Sequence, residues 1–373
     1  IYTLSLHDAL PIFGRTPQTE EVYLIGYRNL ENRLHPATGI YDDVFGNALY
    51  FEQGGKELFI FSCDFMEIDE DTSEDAKTLL HDRFGIDRDC VLLCATHNHT
   101  SVVAYHRTWW TGKYDQQYYD WYLETVAGAF EEARDNARPA TCKFGKAWIE
   151  GWYNNRITNE PADQEVIVVK FFDERDCAFA GLVNWATHSA TCGQAETRLN
   201  SEFAGMTSKK LEPHFGFFPA IIVGAAGDCS NRNTRQGTGV EEAERISSGI
   251  VPEIAAIPME TEVSLGEIRV QTLFHTVHNT GGHLDIRGCV ISLGGLHLFV
   301  TPLEFGSALG LRMKRECPQV GLVFGYTGGY YEYWLPEEEY GLSFETKKSI
   351  VPKGDPEILA AKYISAKDRK SVV

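Results

Sequence analysis

The chain has 373 residues, and 43% of them are hydrophobic, which is enough for a large core in one domain or in two. Its formal net charge of −19 argues against nucleic acid as a partner and against electrostatic docking on anionic lipid. Because the sequence has no run of about 18 uncharged apolar residues, no transmembrane segment is expected.

The first predicted elements lead to a pair of histidines. Two β-rich runs joined by Gly54-Gly55 predict a hairpin over residues 47–64. A polar amphipathic helix is expected over residues 73–84. It is followed by the strand "CVLLCAT", which delivers His97 to its carboxyl end.

The rest of the chain alternates strands with helices. The clearest helix, "DQQYYDWYLETVAGAFEEARDNA", stops before Pro139; another is expected from Val240 to Ile254 and a third after Glu304. Further strands are predicted at "EVIVVKFFD", "AFAGLVNWATH", "PAIIVGAAGD", "TEVSLGEIRVQTLFHTV", "CVISLGG", "LHLFVTP" and "VGLVFGY". This order predicts an α/β fold, a single large domain with a mixed β-sheet flanked by helices.

Cysteine usage and the chain ends bear on the compartment and on the domain limits. The nine cysteines are scattered, odd in number and without a repeated CxxC pair, which favours core thiols of a reducing compartment over a disulfide framework. Residues 1–15 and 367–373 look like foreign sequence and are set aside, so one domain is expected over residues 16–366. A signal peptide lost from the start would leave no trace, and the compartment therefore stays open.

Four polar clusters directly follow predicted strands. They are "THNHT", "NWATHSAT", "GAAGDCSN" and "TPLE". Ligands of α/β folds bind at the carboxyl ends of strands, so the shared placement of these clusters predicts a composite site.

His97 and His99 form an HxH pair. On an extended chain this spacing puts both side chains on one face, where they can share a metal ion; two hydrogen-bonded loop histidines are the alternative. Two known classes of HxH hydrolase fit poorly. A metallo-β-lactamase-type site needs Asp where Ser101 stands, and an amidohydrolase barrel has its HxH on the first strand, whereas two strands are predicted before His97.

The other clusters also allow two interpretations. His188 ends an apolar strand and is either a site residue or a satisfied core histidine. "GDCSN" holds Ser230 but is not a GxSxG elbow, and its Gly-Asp predicts a tight turn whose amides and hydroxyl face a ligand. Glu304 lies between a strand and a helix, where a carboxylate can also serve the helix N-terminus. The "EEE" run at residues 337–339 is expected to be a solvated face.

Taken in order, these segments resemble the catalytic domain of the neutral/alkaline (non-lysosomal) ceramidase family. The resemblance covers residues 23–350 and opens with an entry segment that holds Asp64. The segments that follow are "THNHT", "YNNRI" with Arg156, "NWATHSAT", "NSEFAGM", "GAAGDCSN", "TPLEFGSALGLRMK" and "YEYWLPEEEY". Each motif is modest by itself, but together and in this order they make a specific match.

The resemblance implies a zinc hydrolase that cleaves the amide bond of an N-acylated, lipid-like substrate, with ceramide as the family default. The implied zinc ligands are His97, His188, Glu304 and Tyr333. Zinc accepts imidazole and carboxylate ligands and keeps an open position for water in catalytic sites. The charge of the metal can lower the high pKa of a tyrosine ligand.

The resemblance also suggests roles for three further residues. His99, close to the metal, is suited to take a proton from the attacking water and to pass it to the leaving amine. Arg156 would stabilise the oxyanion or orient the substrate. Ser230 is interpreted as a hydroxyl that contacts the substrate, because a nucleophilic serine needs a base within hydrogen-bond reach.

Departures from the family pattern affect the pocket more than the metal ligands. "TSVVAYH" replaces a glycine-rich stretch, Asn231 stands where Pro is usual, and Phe344 falls where the family tends to have a second active-site tyrosine. Three alternatives follow: a metal amidase or esterase for another acyl substrate, a non-catalytic protein that binds zinc or lipid, and a metal-free serine hydrolase that uses Ser230. The aromatic stretch of residues 104–122 either walls an acyl-chain cleft or packs a helix.

Overall fold

The structure is a computed structural model that describes residues 3–11, 22–27, 35–102, 116–279 and 282–367. Within these ranges the strands, in chain order, are β1 Thr3–Pro11, β2 Gly39–Ile40, β3 Phe45–Gln53, β4 Lys56–Cys63, β5 Val91–Ala95, β6 Arg138–Pro139, β7 Thr141–Trp148, β8 Asn154–Asn155, β9 Glu165–Phe172, β10 Ala178–Trp185, β11 Arg198–Leu199, β12 Ala220–Val223, β13 Cys229–Ser230, β14 Thr261–Glu262, β15 Ile268–Asn279, β16 Gly282–Leu293, β17 Leu296–Val300, β18 Glu304–Phe305, β19 Val320–Phe324 and β20 Tyr333–Trp334. The helices are α1 Glu70–Phe84, α2 Gln116–Asp135, α3 Glu202–Phe215, α4 Val240–Ala255, α5 Ser307–Arg315, α6 Phe344–Lys348 and α7 Asp355–Lys367.

Three larger sheets carry the fold, in the strand orders β5-β4-β3-β1-β6, β12-β10-β9-β7-β14 and β15-β16-β17-β19. Each sheet ends in one parallel pair, β4 with β5, β10 with β12 and β17 with β19, while its other pairs are antiparallel. The predicted α/β domain with mixed sheet and flanking helices is therefore confirmed, with several mixed sheets in place of one.

The parallel edges of the three sheets lie against each other. Ser62 of β4 donates its hydroxyl proton to the Ile221 carbonyl of β12 at 2.6 Å. The Asn184 side-chain amide of β10 donates to the carbonyls of Ile222 at 2.9 Å and of Val323, on β19, at 2.8 Å. Because the strands of each parallel pair run in the same direction, the loops that follow them meet at one edge.

Helix α1 has capping residues at both ends, and helix α2 has an apolar face that packs on a sheet. Asp69 caps α1 by accepting a hydrogen bond from Thr72 N at 2.9 Å, and Gly85 ends the helix with a left-handed φ of 80°. Helix α2 buries one face against the first sheet, where Phe130 contacts the rings of Tyr50 and Phe59. The predicted ranges of α1, α2 and α4 agree with the structure to within a few residues.

Several elements differ from the expectations. The residues of β1, set aside in the sequence analysis, pair with β3 and β6. Helix α3 was not predicted; it is buried along most of its length and contains Pro213, so it has neither an amphipathic stripe nor an uninterrupted helical pattern. The single strand expected over residues 261–277 is split into β14 and β15, with Gly266 close against Gly294 in between.

All nine cysteines are free thiols, and Cys177 is the exposed one. None of the helices in the described ranges is long and apolar enough to cross a membrane.

Candidate metal centre

His97 lies just beyond the carboxyl end of β5 and is fully buried. The "CDFM" segment after β4 holds its loop, because Cys63 O accepts from Thr96 N at 2.9 Å and Phe65 O accepts from Asn98 N at 3.0 Å. His97 Nδ1 is 2.7 Å from Met66 O. A carbonyl oxygen only accepts hydrogen bonds, so Nδ1 carries the proton and Nε2 presents a lone pair.

His188 follows β10 and is held in the same way by the "GAAGDCSN" turn. Its Nδ1 donates to Ala226 O at 2.7 Å, and its backbone N–H donates to Cys229 O at 3.0 Å. The Nε2 atom therefore presents its lone pair, and it forms no hydrogen bond among the described residues. Metal-bound histidines in proteins are commonly oriented by such a carbonyl on the other ring nitrogen.

The carboxylate of Glu304, on β18, meets both imidazoles in the interior. Its Oε2 lies 2.8 Å from His188 Nε2 and its Oε1 lies 3.7 Å from His97 Nε2. Burial lowers the pKa of His97 to about 3 and that of His188 well below its usual range, while burial raises the pKa of Glu304. Neutral imidazole lone pairs that face a carboxylate repel it, unless a cation lies between them.

His99 completes the cluster. Its Nε2 lies 3.0 Å from His97 Nε2, and nitrogen atoms of His97, His99 and His188 all lie within 4.8 Å of one another. These three histidines could hold a metal ion, and with the Glu304 carboxylate they provide the nitrogen and oxygen donors that zinc accepts. The predicted proton-transfer role of His99 stays a prediction, because its position also suits a ligand.

Tyrosines surround the Glu304 carboxylate. The Tyr330 hydroxyl donates to Oε1, and the Tyr326 hydroxyl lies 3.5 Å from Oε2. The Tyr326 ring stacks on that of His97 with 4.2 Å between centroids. His97 and Tyr326 both have a left-handed backbone, with φ of 59° and 52°, a strained conformation that is enriched at functional sites.

Tyr326 and Tyr330 were not identified as site residues from the sequence. The signal that identified the histidines, a polar residue after an apolar strand, also applies to Tyr326. Tyr326 is a polar residue that comes two positions after the strand "VGLVF". The predicted ligand Tyr333 pairs in register with Glu304 across β18 and β20. Burial, with the Glu304 carboxylate nearby, raises the pKa of Tyr333. Its role as a ligand stays a prediction.

Arg156 lies beside the Tyr333 ring, with 5.6 Å from Cζ to the ring centroid. The "GD" turn holds it, because Asp228 O accepts from Arg156 N at 2.7 Å and Gly227 O accepts from Nη2 at 2.8 Å. The structure thus places the predicted cation next to the predicted ligand. Its predicted action on the oxyanion or on substrate orientation stays a prediction.

Glu345 is a site residue that the sequence analysis overlooked. Its side chain is 2% exposed, and Oε1 lies 3.2 Å from Arg156 Nε. Phe344, singled out as a replacement for an active-site tyrosine, begins α6 with 63% of its surface exposed. The inward position in this segment thus belongs to Glu345, and the correspondence of Phe344 to a tyrosine of the family stays a prediction.

Ser230 is buried on β13, and its hydroxyl accepts a hydrogen bond from Arg232 N at 3.2 Å. No histidine of the described residues hydrogen-bonds to it, so the structure shows no base of the kind that a nucleophilic serine needs. Contact between Ser230 and a substrate stays a prediction.

The "EEE" run is only partly a solvated face. Glu337 and Glu338 are exposed, but Glu339 is buried and accepts a hydrogen bond from the Asn155 side-chain amide, which also donates to Asp228 at 3.2 Å. Burial and the neighbouring Asp228 raise the pKa of Glu339 to about 8. The expectation for this residue was wrong because its partners come from distant segments.

Residues of two other motifs hydrogen-bond to side chains of the "THNHT" loop. Asp64 Oδ1 accepts from the Thr96 hydroxyl at 3.1 Å, and Asn200 O, in "NSEFAGM", accepts from the Asn98 amide at 2.7 Å. A Cβ atom at Gly205 would lie 2.5 Å from Asp64 Oδ2, so glycine is needed for α3 to approach the loop. These motifs position the donor cluster.

Most of the aromatic stretch proposed as a cleft wall, its residues 104–115, lies outside the described residues. The tyrosines that the structure describes, Tyr118, Tyr119 and Tyr122, are buried on α2. For these three positions the structure agrees with helix packing.

Two solved structures share this fold. One is a ceramidase complexed with C2, which superposes with a TM-score of 0.85 at 16% sequence identity over 98% of this chain and 74% of that chain. The other is the neutral ceramidase from Pseudomonas aeruginosa, with a TM-score of 0.84 at 17% identity and the same coverage. No protein-family model and no curated protein sequence matches the chain. The resemblance predicted from the motifs is thereby confirmed at the level of the fold.

Proposed function

We propose that the chain is a zinc-dependent hydrolase that cleaves the amide bond of an N-acylated, lipid-like substrate, with ceramide as the leading candidate. The observation that carries the proposal is the convergence of the neutral His97 and His188 imidazoles on the buried Glu304 carboxylate. The fold shared with two ceramidases supports the choice of substrate class.

The donor set fits zinc. His97, His188 and Glu304 would hold the ion, with Tyr333 as the fourth protein ligand. A bound zinc ion would supply a Lewis acid that lowers the pKa of a water molecule and polarises a carbonyl oxygen. The carbonyls of Met66 and Ala226 fix the two imidazoles in the tautomer that leaves Nε2 free to bind.

The remaining residues divide proton transfer and charge stabilisation between them. His99 borders the donor cluster and is partly exposed, which suits it to move a proton from the attacking water to the leaving amine. Arg156 is a buried cation whose guanidinium can stabilise the oxyanion or orient the substrate carbonyl. The Ser230 hydroxyl is assigned to substrate contact.

A second candidate function is hydrolysis of a different acyl substrate, an amide or an ester, by the same centre. It is favoured by Glu345, a buried carboxylate that offsets the charge of Arg156. Hydrolysis of N-acylsphingosine compared with hydrolysis of short N-acyl amines and esters separates the two candidates. Faster turnover of the short substrates would favour the second.

The first test of the proposal is metal content. Purified protein supplied with zinc should hold about one ion per chain, as expected for one catalytic site. His97→Ala and His188→Ala should lose it, whereas His283→Ala, at a side chain that is 68% exposed, should keep it. Folded wild-type protein without bound zinc would contradict the proposal.

A second test separates zinc chemistry from a serine mechanism. A chelator should abolish hydrolysis and added zinc should restore it, while Ser230→Ala should weaken substrate binding more than it slows turnover. Activity that survives chelation but is lost in Ser230→Ala would identify a metal-free serine hydrolase.

A further inference from the structure

Arg156 shares one carboxylate with a second arginine. Glu345 Oε1 lies 3.2 Å from Arg156 Nε and 3.3 Å from Arg232 Nη2. Arg156 is 4% exposed, whereas Arg232 is 51% exposed. Two guanidinium groups and one carboxylate leave one net positive charge, with one cation next to the candidate metal centre and the other towards solvent.

Arg156 keeps donor capacity in spite of this ion pair. Its Nη2 is used by Gly227 O at 2.8 Å, but its Nε–H forms no hydrogen bond among the described residues. The geometry between Nε and Glu345 is that of a charge contact without an aligned hydrogen bond. A ligand oxygen beside Tyr333 can therefore compete with Glu345 for the guanidinium.

Amide hydrolysis changes the charge that Arg156 meets. Water adds to a neutral amide, the C–N bond breaks, and the products are a carboxylate anion and a protonated amine. Arginine binds carboxylates through two parallel hydrogen bonds, and such charge-assisted bonds are stronger than those to a neutral carbonyl. A buried guanidinium without a counter-ion would thus hold the product more tightly than the substrate.

We propose that Glu345 is a positioning residue that holds and partly neutralises Arg156, so that the site accepts a neutral amide and rejects the carboxylate product. This inference rests on the proposed function for the identity of the product. Burial would raise the pKa of Glu345, but the two arginines keep this pKa below its usual value. The carboxylate is therefore charged at neutral pH.

The test measures the binding of two ligands that differ in charge. Octanoate and octanamide are titrated calorimetrically into zinc-supplied wild type and Glu345→Gln. Octanoate should bind about tenfold more tightly to the variant, because a competing charged partner of Arg156 is lost. Octanamide binding should stay unchanged, which a general loosening of the pocket would not produce. In an active enzyme, inhibition by octanoate should strengthen by the same factor.

Three further variants serve as controls. Glu345→Asp keeps the charge and should restore the wild-type preference. Glu338→Gln removes one carboxylate from an exposed position in the preceding segment and should leave both affinities unchanged. In Arg232→Ala, Arg156 is the remaining arginine partner of Glu345, so octanoate binding should weaken. This variant also tests the inference if Glu345→Gln fails to fold.

An unchanged octanoate-to-octanamide ratio in both Glu345→Gln and Arg232→Ala would overturn the inference, as would binding of neither ligand to any variant. Because binding needs no turnover, the result is independent of the proposed hydrolysis. A protein that hydrolyses amides but shows no change in the ratio would retain the proposed function and lose this role of Glu345.

Discussion

Two buried carboxylates at the candidate site differ in how their charge is compensated. Glu345 lies between Arg156 and Arg232, which hold its pKa below the usual value against the effect of burial. Glu304 lies between two neutral imidazoles, and burial raises its pKa. The chain supplies a counter-ion for the first carboxylate. The second forms no ion pair with a lysine or an arginine among the described residues, and the nearby Arg156 lowers its pKa by less than burial raises it. A bound metal ion would add a cation in direct contact with it.

Asp64 shows a third solution to the same problem. It accepts hydrogen bonds from Phe45 N and the Thr96 hydroxyl, yet burial raises its pKa to about 7. A buried carboxyl group can thus be paired, protonated or bound to a metal, because an uncompensated buried charge is too costly. The four predictions below test these solutions separately.

The largest effect is expected from breaking a buried ion pair away from the donor cluster. Lys314 Nζ lies 2.6 Å from Asp163 Oδ2, and both side chains are buried. Lys314→Met leaves Asp163 without its cation, so the free energy of unfolding in urea should fall by about 3–5 kcal/mol. The content of bound zinc should not change. Lys143→Met, at a pair with the exposed Asp176, should cost at most about 1 kcal/mol.

The protonated carboxyl group predicts a dependence of stability on pH. The pKa of Asp64 in the folded protein, about 7, exceeds its ordinary value of 3.8, so between these values the folded state holds a proton that the unfolded state has lost. The stabilisation that comes from protonated Asp64 is therefore fully present below pH 3.8 and is lost as the pH rises to about 7. The free energy of unfolding should fall between pH 4 and pH 7 by about 2–4 kcal/mol less in Asp64→Asn than in wild type.

The measurement for Asp64 is the free energy of unfolding in urea at several pH values between 4 and 7. Asp82→Asn, at an exposed position of α1, should keep the wild-type slope. Equal slopes in wild type and Asp64→Asn would show that Asp64 is ionised in the folded protein.

Replacing the Glu304 carboxylate should separate stability from metal binding. The amide of Glu304→Gln can donate to the free Nε2 of His188, which the carboxylate cannot. The metal-free variant should therefore melt at a higher temperature than metal-free wild type. Its zinc affinity should fall by more than about a hundredfold, since even the loss of an outer partner costs ten- to a hundredfold.

Competition with a chromophoric chelator measures the zinc affinity of Glu304→Gln, and a thermal melt without metal measures its stability. Glu338→Gln, with the same chemical change at an exposed position, should alter neither. A variant that binds zinc as tightly as wild type would exclude Glu304 as a ligand.

The sequence predicts the parts of this centre that depend on local pattern. The hairpin of β3 and β4, the strand β5 and the histidine after it follow from runs of apolar residues that end in polar ones. His97, His188 and Glu304 come together because all three follow strands whose loops meet at one edge of the sheets. Their placement after strands is enough to predict their proximity.

Partners from distant segments could not be predicted in this way. The pattern singles out Phe344 and not Glu345, because neighbouring residues of a helix point only about 100° apart and the sequence does not say which one faces the site. The sequence makes Glu339 part of a charged face, but Asn155 hydrogen-bonds to both Glu339 and Asp228 in the interior. Such contacts depend on how loops pack, and loop packing has no periodic signal in the sequence.

The smallest effect is expected at Tyr330, whose hydroxyl orients the Glu304 carboxylate. Tyr330→Phe removes the hydrogen bond to Glu304 Oε1 and should weaken zinc binding about tenfold, as for other outer partners of metal ligands. Tyr326→Phe should have less effect, because its hydroxyl lies 3.5 Å from Oε2. Tyr331→Phe is the matched control, since its hydroxyl bonds to Glu70 at the surface. Equal zinc affinities for all three variants would mean that the carboxylate is held by the metal and the histidines alone, and the tyrosines would then serve only to pack against His97.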